Sequence, residues 1–589
     1  MDTRLLVHNC VFTTVAKEKP TLRAKSLLVL ICWAGCLLSW SGCQVESSNA
    51  DQQQATQVST PLPPEAVPPP EVGATFTDVS DAAGIGFTHS FGDDNFSNLV
   101  EAVGGGAAFL DYDQDGWVDL YLVSGKWAEG LSSGERESPQ SINRLYRNRQ
   151  DGTFEDVTLK ARVGLEESFS MGVTVGDYDN DGYPDLYVAN FGSSVLLHNE
   201  GNGTFRDVTS QAGVANSGLC SVAATWLDFD RDGLLDLYVS SYIDFDPDYS
   251  LYYAPDGFPG PMAYKGQPDR LYRNLGDSRF EDVSEQVGIA GLEGRGMSVA
   301  SIDFDDNGYP DLYVTNDATE NFLLKNEDGK HFSQIALESG VGYNGMGDST
   351  ASMGIDFGDY DQDGKVDLFV SDNSLSSLYK NEGDGLFMDV VVESGIALNS
   401  AQYVGWGSFF FDFDNDSDLD ILKVNSDLSR LFGQEDQIFE NKGEAQFEDI
   451  SPALGEYFNR TLIGRGAAFA DYDNDGDLDV IISNISGPAV LLRNDGGNRA
   501  NWLQLDLVGT QGNHDGIGAK VQLTVGGKSL TGYRRANTGY LSTSDSRLHF
   551  GLGSATTVDK IEIIWPSGDR QTIEAVPANQ RITIKEQVG

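Results

Sequence analysis

Asp177-Tyr178-Asp179-Asn180-Asp181-Gly182-Tyr183-Pro184-Asp185 is the stretch whose reading decides the fold. Carboxylates stand at positions 1, 3, 5 and 9, and Gly182 at position 6. Three closely spaced acids, a sharp turn and a fourth acid returning from the far side wrap a hard, oxygen-seeking cation. The chain writes this pattern seven times. The other candidate ligand sets are Asp111, Asp113, Asp115 and Asp119; Asp228, Asp230, Asp232 and Asp236; Asp303, Asp305, Asn307 and Asp311. They continue with Asp359, Asp361, Asp363 and Asp367; Asp412, Asp414, Asp416 and Asp420; Asp471, Asp473, Asp475 and Asp479. Two copies depart: Asn307 replaces an acid at position 5, and Ser417 replaces the glycine at position 6.

These loops are not EF-hands, which need a bidentate Glu at position 12 and a helix on each side. Position 12 is Leu122, Val188, Val239, Val314, Val370, Lys423 or Ile482. The flanks are short and β-rich, as in Gly172-Val-Thr-Val-Gly before the second loop and Leu186-Tyr-Val-Ala after it. Such runs predict strands. Each loop is therefore expected at the tip of a β-hairpin. Turn chemistry alone asks for Asp-Gly, not four acids in fixed register.

Two further phrases accompany each loop. A phenylalanine strand such as Phe154-Glu-Asp-Val-Thr precedes it, and a strand ending in Asn, such as Leu145-Tyr-Arg-Asn, follows. The loops recur about every 50–75 residues, which with four strands per unit suits propeller blades. The last Asn strand, Leu491-Leu-Arg-Asn494, has no phenylalanine strand after it, and the first, Phe76-Thr-Asp-Val-Ser, has no blade before it. Joining the two closes a ring and removes exposed sheet edges. The prediction is an all-β chain: a seven-bladed β-propeller over residues 75–499, followed by a small β domain over 501–589. In the latter, glycines break alternating strands such as Trp502-Leu-Gln-Leu-Asp-Leu-Val. That domain is far less acidic than the propeller and is expected to dock against it, more weakly in salt. Insertions interrupt two blades, over residues 126–142 and 241–269. The second is rich in aromatics (Tyr242, Phe245, Tyr249, Tyr252, Tyr253, Phe258, Tyr264) and is a candidate recognition loop.

The 589 residues carry 39 basic and 90 acidic side chains, a formal net charge of −51. Such a surface repels nucleic acid and anionic lipid, and suits divalent cations. Residues 1–43 predict an export signal: Lys17, Lys19, Arg23 and Lys25 precede an apolar run too short for an ordinary membrane span. Ser41-Gly42-Cys43 resembles a bacterial lipoprotein cleavage box, making Cys43 a candidate lipidation site. Residues 44–73, rich in Gln, Ser and Pro, read as a disordered tether. Of five cysteines, only Cys220 lies in the body, where it reads as a buried small apolar residue.

The loops with their Phe-x-Asp-Val and Leu-Tyr-Arg-Asn companions resemble the FG-GAP or VCBS repeats of integrin α-subunit propellers. Gly516-Ile-Gly-Ala-Lys-Val, Gly539-Tyr-Leu-Ser, Arg547-Leu-His-Phe-Gly-Leu-Gly and Ile564-Trp-Pro-Ser-Gly resemble the ASPIC/UnbV domain. The pair in this order is similar to the cartilage acidic protein family and its bacterial members. The resemblance implies an extracellular, calcium-binding, non-enzymatic module, with up to seven Ca²⁺ on the loop residues above.

Signs of catalysis are few. Gly527-Lys528-Ser529 lacks the first glycine of a phosphate-binding loop, no H-E-x-x-H occurs, and His89, His198, His331, His514 and His549 stand singly. The leading expectation is a non-enzymatic, exported cell-surface binding or adhesion module. It would take a protein or glycan at a propeller face and touch a membrane only through its N-terminal lipid or anchor. The alternatives are a scaffold subunit of an extracytoplasmic assembly and, third, a propeller hydrolase or lyase working at the central channel.

Overall fold

Period-two strands joined by tight turns pair with their neighbours in sequence, and here they do so seven times over. The computed structural model describes residues 73–587 apart from 138, 140, 250–256 and 428–430. The export signal, the tether with Cys43, and Tyr252 and Tyr253 lie outside the described residues. Among the described residues, seven antiparallel blades of four strands make up the larger part of the chain. Blade two is representative: Phe169–Gly176, Asp185–Gly192, Val195–Asn199 and Phe205–Asp207 in order. Blades two and three also join where the end of blade two's second strand meets the start of blade three's first, Leu219 and Cys220 pairing with Gly192 and Phe191.

The first strand of each blade is innermost and packs on the first strands of both neighbours. Gly464–Ala470 of blade seven returns to Ala107–Leu110 of blade one. The approach is close: a Cβ on Gly172 or Gly354 would meet the next inner strand's carbonyl oxygen, of Val222 or Trp406, at 2.5 and 2.2 Å. Closure is by the chain's own start. Thr75–Asp78 pairs with Val490–Asp495, with Phe76 opposite Asn494, and supplies the outer strand of blade seven.

The recurring phrases are the joints between blades. The Asn ending each third strand donates its backbone N–H to the position-9 acid of its own blade. Its side chain donates to the position-2 carbonyl of the preceding blade. Asn199 N–H reaches Asp185 Oδ1 at 2.7 Å while its Nδ2 reaches the Tyr112 carbonyl at 2.9 Å. Asn148 repeats this onto Tyr472, carrying the joint across the seam between blades seven and one. The same position-2 aromatic packs on the phenylalanine of the next blade's fourth strand. Tyr112–Phe205, Tyr472–Phe154 and, at the closure, Phe413–Phe76 lie 6.1, 5.6 and 6.2 Å apart between ring centroids.

Residues 501–585 build a small β domain of two sheets. In one, Asn501–Val508 pairs antiparallel with Leu548–Gly553 and parallel with Gln580–Lys585. The other is Lys528–Tyr533, Lys520–Val525, Thr557–Ile564 and Arg570–Pro577. Alternating Leu503, Leu505 and Leu507 meet Val521, Leu523, Ile561 and Trp565 in a core of its own. Gly527-Lys528-Ser529 lies where a hairpin turns into its second strand, with Gly526 and Gly527 at φ 56° and 89° forming the turn and Lys528 opposite Val525.

Between its sheets this domain sends residues 535–545 into the propeller axis, where they touch all seven blades. Thr543 exchanges backbone hydrogen bonds with Ala107 and Phe109, and Val173 N–H donates to the Leu541 carbonyl. Thr225 Oγ1 donates to Asn537 Oδ1, Ser298 Oγ to the Gly539 carbonyl, and Gly539 N–H to the Ile355 carbonyl. Tyr540 packs edge-on against Trp406 at 5.4 Å, and Asp545 N–H donates to the Phe469 carbonyl. Tyr540 and Leu541 are buried in one apolar cluster with Met171, Val222, Met297 and Met353. The docking expected from charge alone is thus chiefly a buried plug, with Arg535–Asp356 and Lys520–Asp306 as its ion pairs.

The insertions follow the second strands, so they lie at the end of the ring opposite the loops. The aromatic insertion does not stand free. Tyr242, Phe258 and Tyr264 are buried in the axial cluster, and Phe258 meets Phe96 edge-on at 5.2 Å. Burying three aromatics outweighs leaving them to solvent, so this loop is largely a cap. Tyr249, 40% exposed, remains at its surface. Cys220 is buried and unpaired, as its surroundings require.

Candidate metal centre

Each acidic loop connects the first and second strands of its blade, so all seven lie at one end of the ring. The backbone explains the spacing. In the second loop, Asp177 Oδ1 accepts the Asp181 N–H and its Oδ2 the Gly182 N–H, at 3.0 and 2.7 Å. Asp181 Oδ1 accepts the Tyr183 N–H at 2.9 Å. Asp185 begins the second strand, is fully buried, and accepts from Tyr178 and Asn199 N–H. Position 4 is left-handed in every loop, at φ between 56° and 60° for Gln114, Asn180, Arg231, Asp306, Gln362, Asn415 and Asn474. The sequence reading missed this feature, although Asn, Asp and Gln dominate the position.

Position-4 side chains link the loops to one another. Asn180 Nδ2 donates to the Gly233 carbonyl at 3.1 Å, Gln362 Nε2 to Ser417 at 2.9 Å, and Asn415 Nδ2 to Gly476 at 2.9 Å. Gln114 donates in the same way to Gly182.

The donors remaining inside each loop are carboxylate oxygens. In loops one, two and three the position-1, -3 and -5 acids bring oxygens within 4.8 Å of one another. The position-3 Oδ1 of Asp113, Asp179, Asp230, Asp414 and Asp473 is buried without a hydrogen-bond partner, as are Asp359 Oδ1 and Asp367 Oδ2 in loop five. Burial first, then neighbouring carboxylates, pushes Asp111 and Asp303 up to about 6, Asp228 and Asp471 to about 7, and Asp185 and Asp367 to about 8. Orphaned buried oxygens converging among acids fit a hard divalent cation. The two departures keep the loop shape. Asn307 Oδ1 accepts the Tyr309 N–H at 2.8 Å, and Ser417, at φ 86°, still donates its N–H to Asp412 Oδ2 at 2.9 Å. Holding a serine there costs roughly 1 kcal/mol.

The C-terminal domain sits on the loop end. Trp502 lies against Gly476, and Gln504 Nε2 donates to Asp471 Oδ2 at 3.0 Å. Arg547 donates to the Asp471 carbonyl, and Arg581 to Gly116. His514 Nδ1 is 3.2 Å from Asp177 Oδ2, and His549 Nε2 is 2.6 Å from Asn415 Oδ1. Three histidines that look scattered in sequence, His198 among them, therefore meet acidic loops. Gly551 makes a tight contact, since a Cβ there would stand 2.0 Å from Asp412 Oδ2 and 2.5 Å from the Asn415 Cα. Gly551→Ala is expected to cost about 1–3 kcal/mol and to expose the domain boundary to limited proteolysis. An unchanged digest would argue against tight seating.

Residues 111–188, 177–239, 262–314, 303–370 and 359–423 match the FG-GAP-like repeat, and residues 509–589 match ASPIC and UnbV. The chain is 25% identical over 492 residues to cartilage acidic protein 1 of Homo sapiens, spanning 79% of this chain and 69% of that one. The Xenopus tropicalis protein of that name is 25% identical over 498 residues, with 79% and 70% covered. Among solved structures, a Burkholderia pseudomallei lectin aligns with 67% of this chain and 96% of its own, at TM-score 0.43 and 12% identity. An Agrocybe aegerita lectin aligns with 58% and 82%, at 0.35 and 15%. FG-GAP-like repeats precede an ASPIC and UnbV segment, most of the chain aligns with cartilage acidic protein 1, and the chain belongs to the cartilage acidic protein family.

Proposed function

We propose that this protein is an exported calcium-binding propeller that acts as a cell-surface binding or adhesion module. The acids at positions 1, 3, 5 and 9 of each loop would hold Ca²⁺, with Asn307 in the fourth. The single observation carrying this is the buried, unpartnered position-3 oxygen that recurs in five loops. Calcium's part is structural: it neutralises the loop acids and stiffens hairpin tips that brace one another and seat the C-terminal domain. With the axis plugged and the loop end covered, partner binding is assigned to the opposite end. There Tyr249, Met262 and Met346 stand exposed around one groove. A protein or glycan is the proposed ligand class, and the plugged axis favours a binding role over chemistry in the channel. Attachment through Cys43 would hold the module at a membrane. Protein and glycan arrays with and without calcium test the reading. Calcium-dependent capture abolished by blocking the Tyr249 groove supports it. Capture indifferent to both counts against it.

A pH effect follows. Burial raises Asp111, Asp303, Asp228, Asp471, Asp185 and Asp367 above the ordinary carboxylate value, so without cations the native state holds protons that the unfolded chain releases. Stability is then fully present near pH 4 and is lost as pH rises through about 6 to 8. The cation-free chain should melt at a higher temperature at about pH 5.5 than at about pH 8, and saturating calcium should remove the difference. A cation-free melting point that rises with pH over this range would contradict it.

A further inference from the structure

The residue before the joint-forming Asn faces its blade's acidic loop. In five blades it is a fixed cation: Arg147, Arg273, Lys325, Lys380 or Arg493. Arg147 Nε lies 2.7 Å from Asp113, Arg273 Nε 2.7 Å from Asp230, and Lys325 Nζ 2.8 Å from Asp305. A permanent positive charge there pairs with the position-3 carboxylate and offers a metal ion no lone pair of its own. Blade six has Glu440, an oxygen donor. Blade two has His198, whose neutral imidazole offers nitrogen.

His198 Nδ1 is 3.3 Å from Asp185 Oδ1 and 3.5 Å from Asp179 Oδ2. Both separations exceed an ordinary N–H···O bond. His198 Nδ1 faces both carboxylates, and Asp179 Oδ1 is buried without a hydrogen-bond partner. Ligand atoms about 2.0–2.1 Å from a tetrahedral zinc ion stand roughly 3.3–3.4 Å from one another. The two His198–carboxylate separations are close to that spacing, and one ligand atom from each of the three residues lies within 4.8 Å of the others. Asp185 is fully buried, and the Tyr178 ring meets His198 edge-on at 6.1 Å, limiting its rotation. The imidazole is 13% exposed, which leaves access from the loop end.

We propose that the second loop is a site for a borderline divalent ion of the zinc or cobalt type, with His198 supplying nitrogen and Asp179 and Asp185 supplying oxygen. This rests on the reading that the loops hold cations. Imidazole with carboxylates favours such ions over calcium, which selects oxygen. The other loops keep all-oxygen interiors. The nearest competing cluster, Asp177, His514 and Asp515, is weaker, because the His514 side chain is 36% exposed against 13% for His198.

The test uses the full chain, stripped with chelator and dialysed against millimolar calcium with micromolar Zn²⁺ or Co²⁺. Bound metals are counted by mass spectrometry. The expected result is one zinc or cobalt ion per chain beside calcium, with a nitrogen-ligated, low-coordinate cobalt absorption spectrum. His198→Arg, which installs the residue of blades one, three and seven, and His198→Gln should weaken that ion by about 10- to 100-fold, while His514→Gln leaves it unchanged. An all-oxygen octahedral cobalt spectrum would overturn the proposal without any variant. So would zinc held equally by both His198 variants, or lost instead on His514→Gln. If calcium still binds in those cases, only this proposal fails. If no divalent ion binds, the cation reading of the loops fails with it.

Discussion

Chelating divalent cations from the purified chain is expected to destabilise it by roughly 3–10 kcal/mol, read as a large drop in melting temperature. At the affinities of extracellular modules, a Kd near 10⁻⁴–10⁻³ M, millimolar calcium adds roughly 0.4–1.4 kcal/mol per site. Seven sites together approach the net stability of a whole domain. The geometry gives the loss a route. Without a cation, the position-3 oxygens stay buried and unpartnered, and the raised position-9 acids sit beneath the Asn joints. Loosening one tip therefore loosens the joint to the preceding blade and the seat of the C-terminal domain. An identical melting curve with calcium and with chelator would remove the structural role assigned to the ions.

Phe76→Ala is expected to cost about 3–5 kcal/mol, because a large ring is lost from a filled core. Phe76 is buried, packs on Phe413 and Phe458 at 6.2 and 6.0 Å, and donates its N–H to the Leu454 carbonyl. It anchors the strand that closes the ring. Removing residues 75–80 altogether should do more, leaving Val490–Asp495 as an unpaired edge that promotes aggregation. Light scattering with thermal unfolding reads both effects. A truncated protein that stayed monomeric and melted cooperatively would show that the ring does not depend on this strand.

Much of the architecture was legible because its signals are short. An Asp-x-Asp-x-Asp-Gly hairpin tip and a period-two strand are each encoded within about ten residues, and seven copies average out local ambiguity. The orphaned Phe76 strand and the unfinished Leu491–Asn494 strand pointed to one another because each lacked a neighbour. The aromatic insertion was less legible. Tyr242, Phe258 and Tyr264 carry no mark in sequence that separates a recognition loop from a cap, and burial against Phe96 and the axial cluster decided between them. His198 left one weak trace, a titratable base where five other blades carry Arg or Lys.

Composition and repeat spacing by themselves determined the seven acidic hairpins, the closed ring and the change of character after residue 500, since each depends on neighbours along the chain. Only the tertiary structure decided that Tyr540 and Leu541 fill the axis, that Gly551 rests on the sixth loop, and that His198 faces Asp179 and Asp185. The physical reason is distance along the polymer. Ser542 and Ala107 meet across 435 residues, and such a contact is selected by the shape and chemistry of surfaces that exist only after the blades have packed.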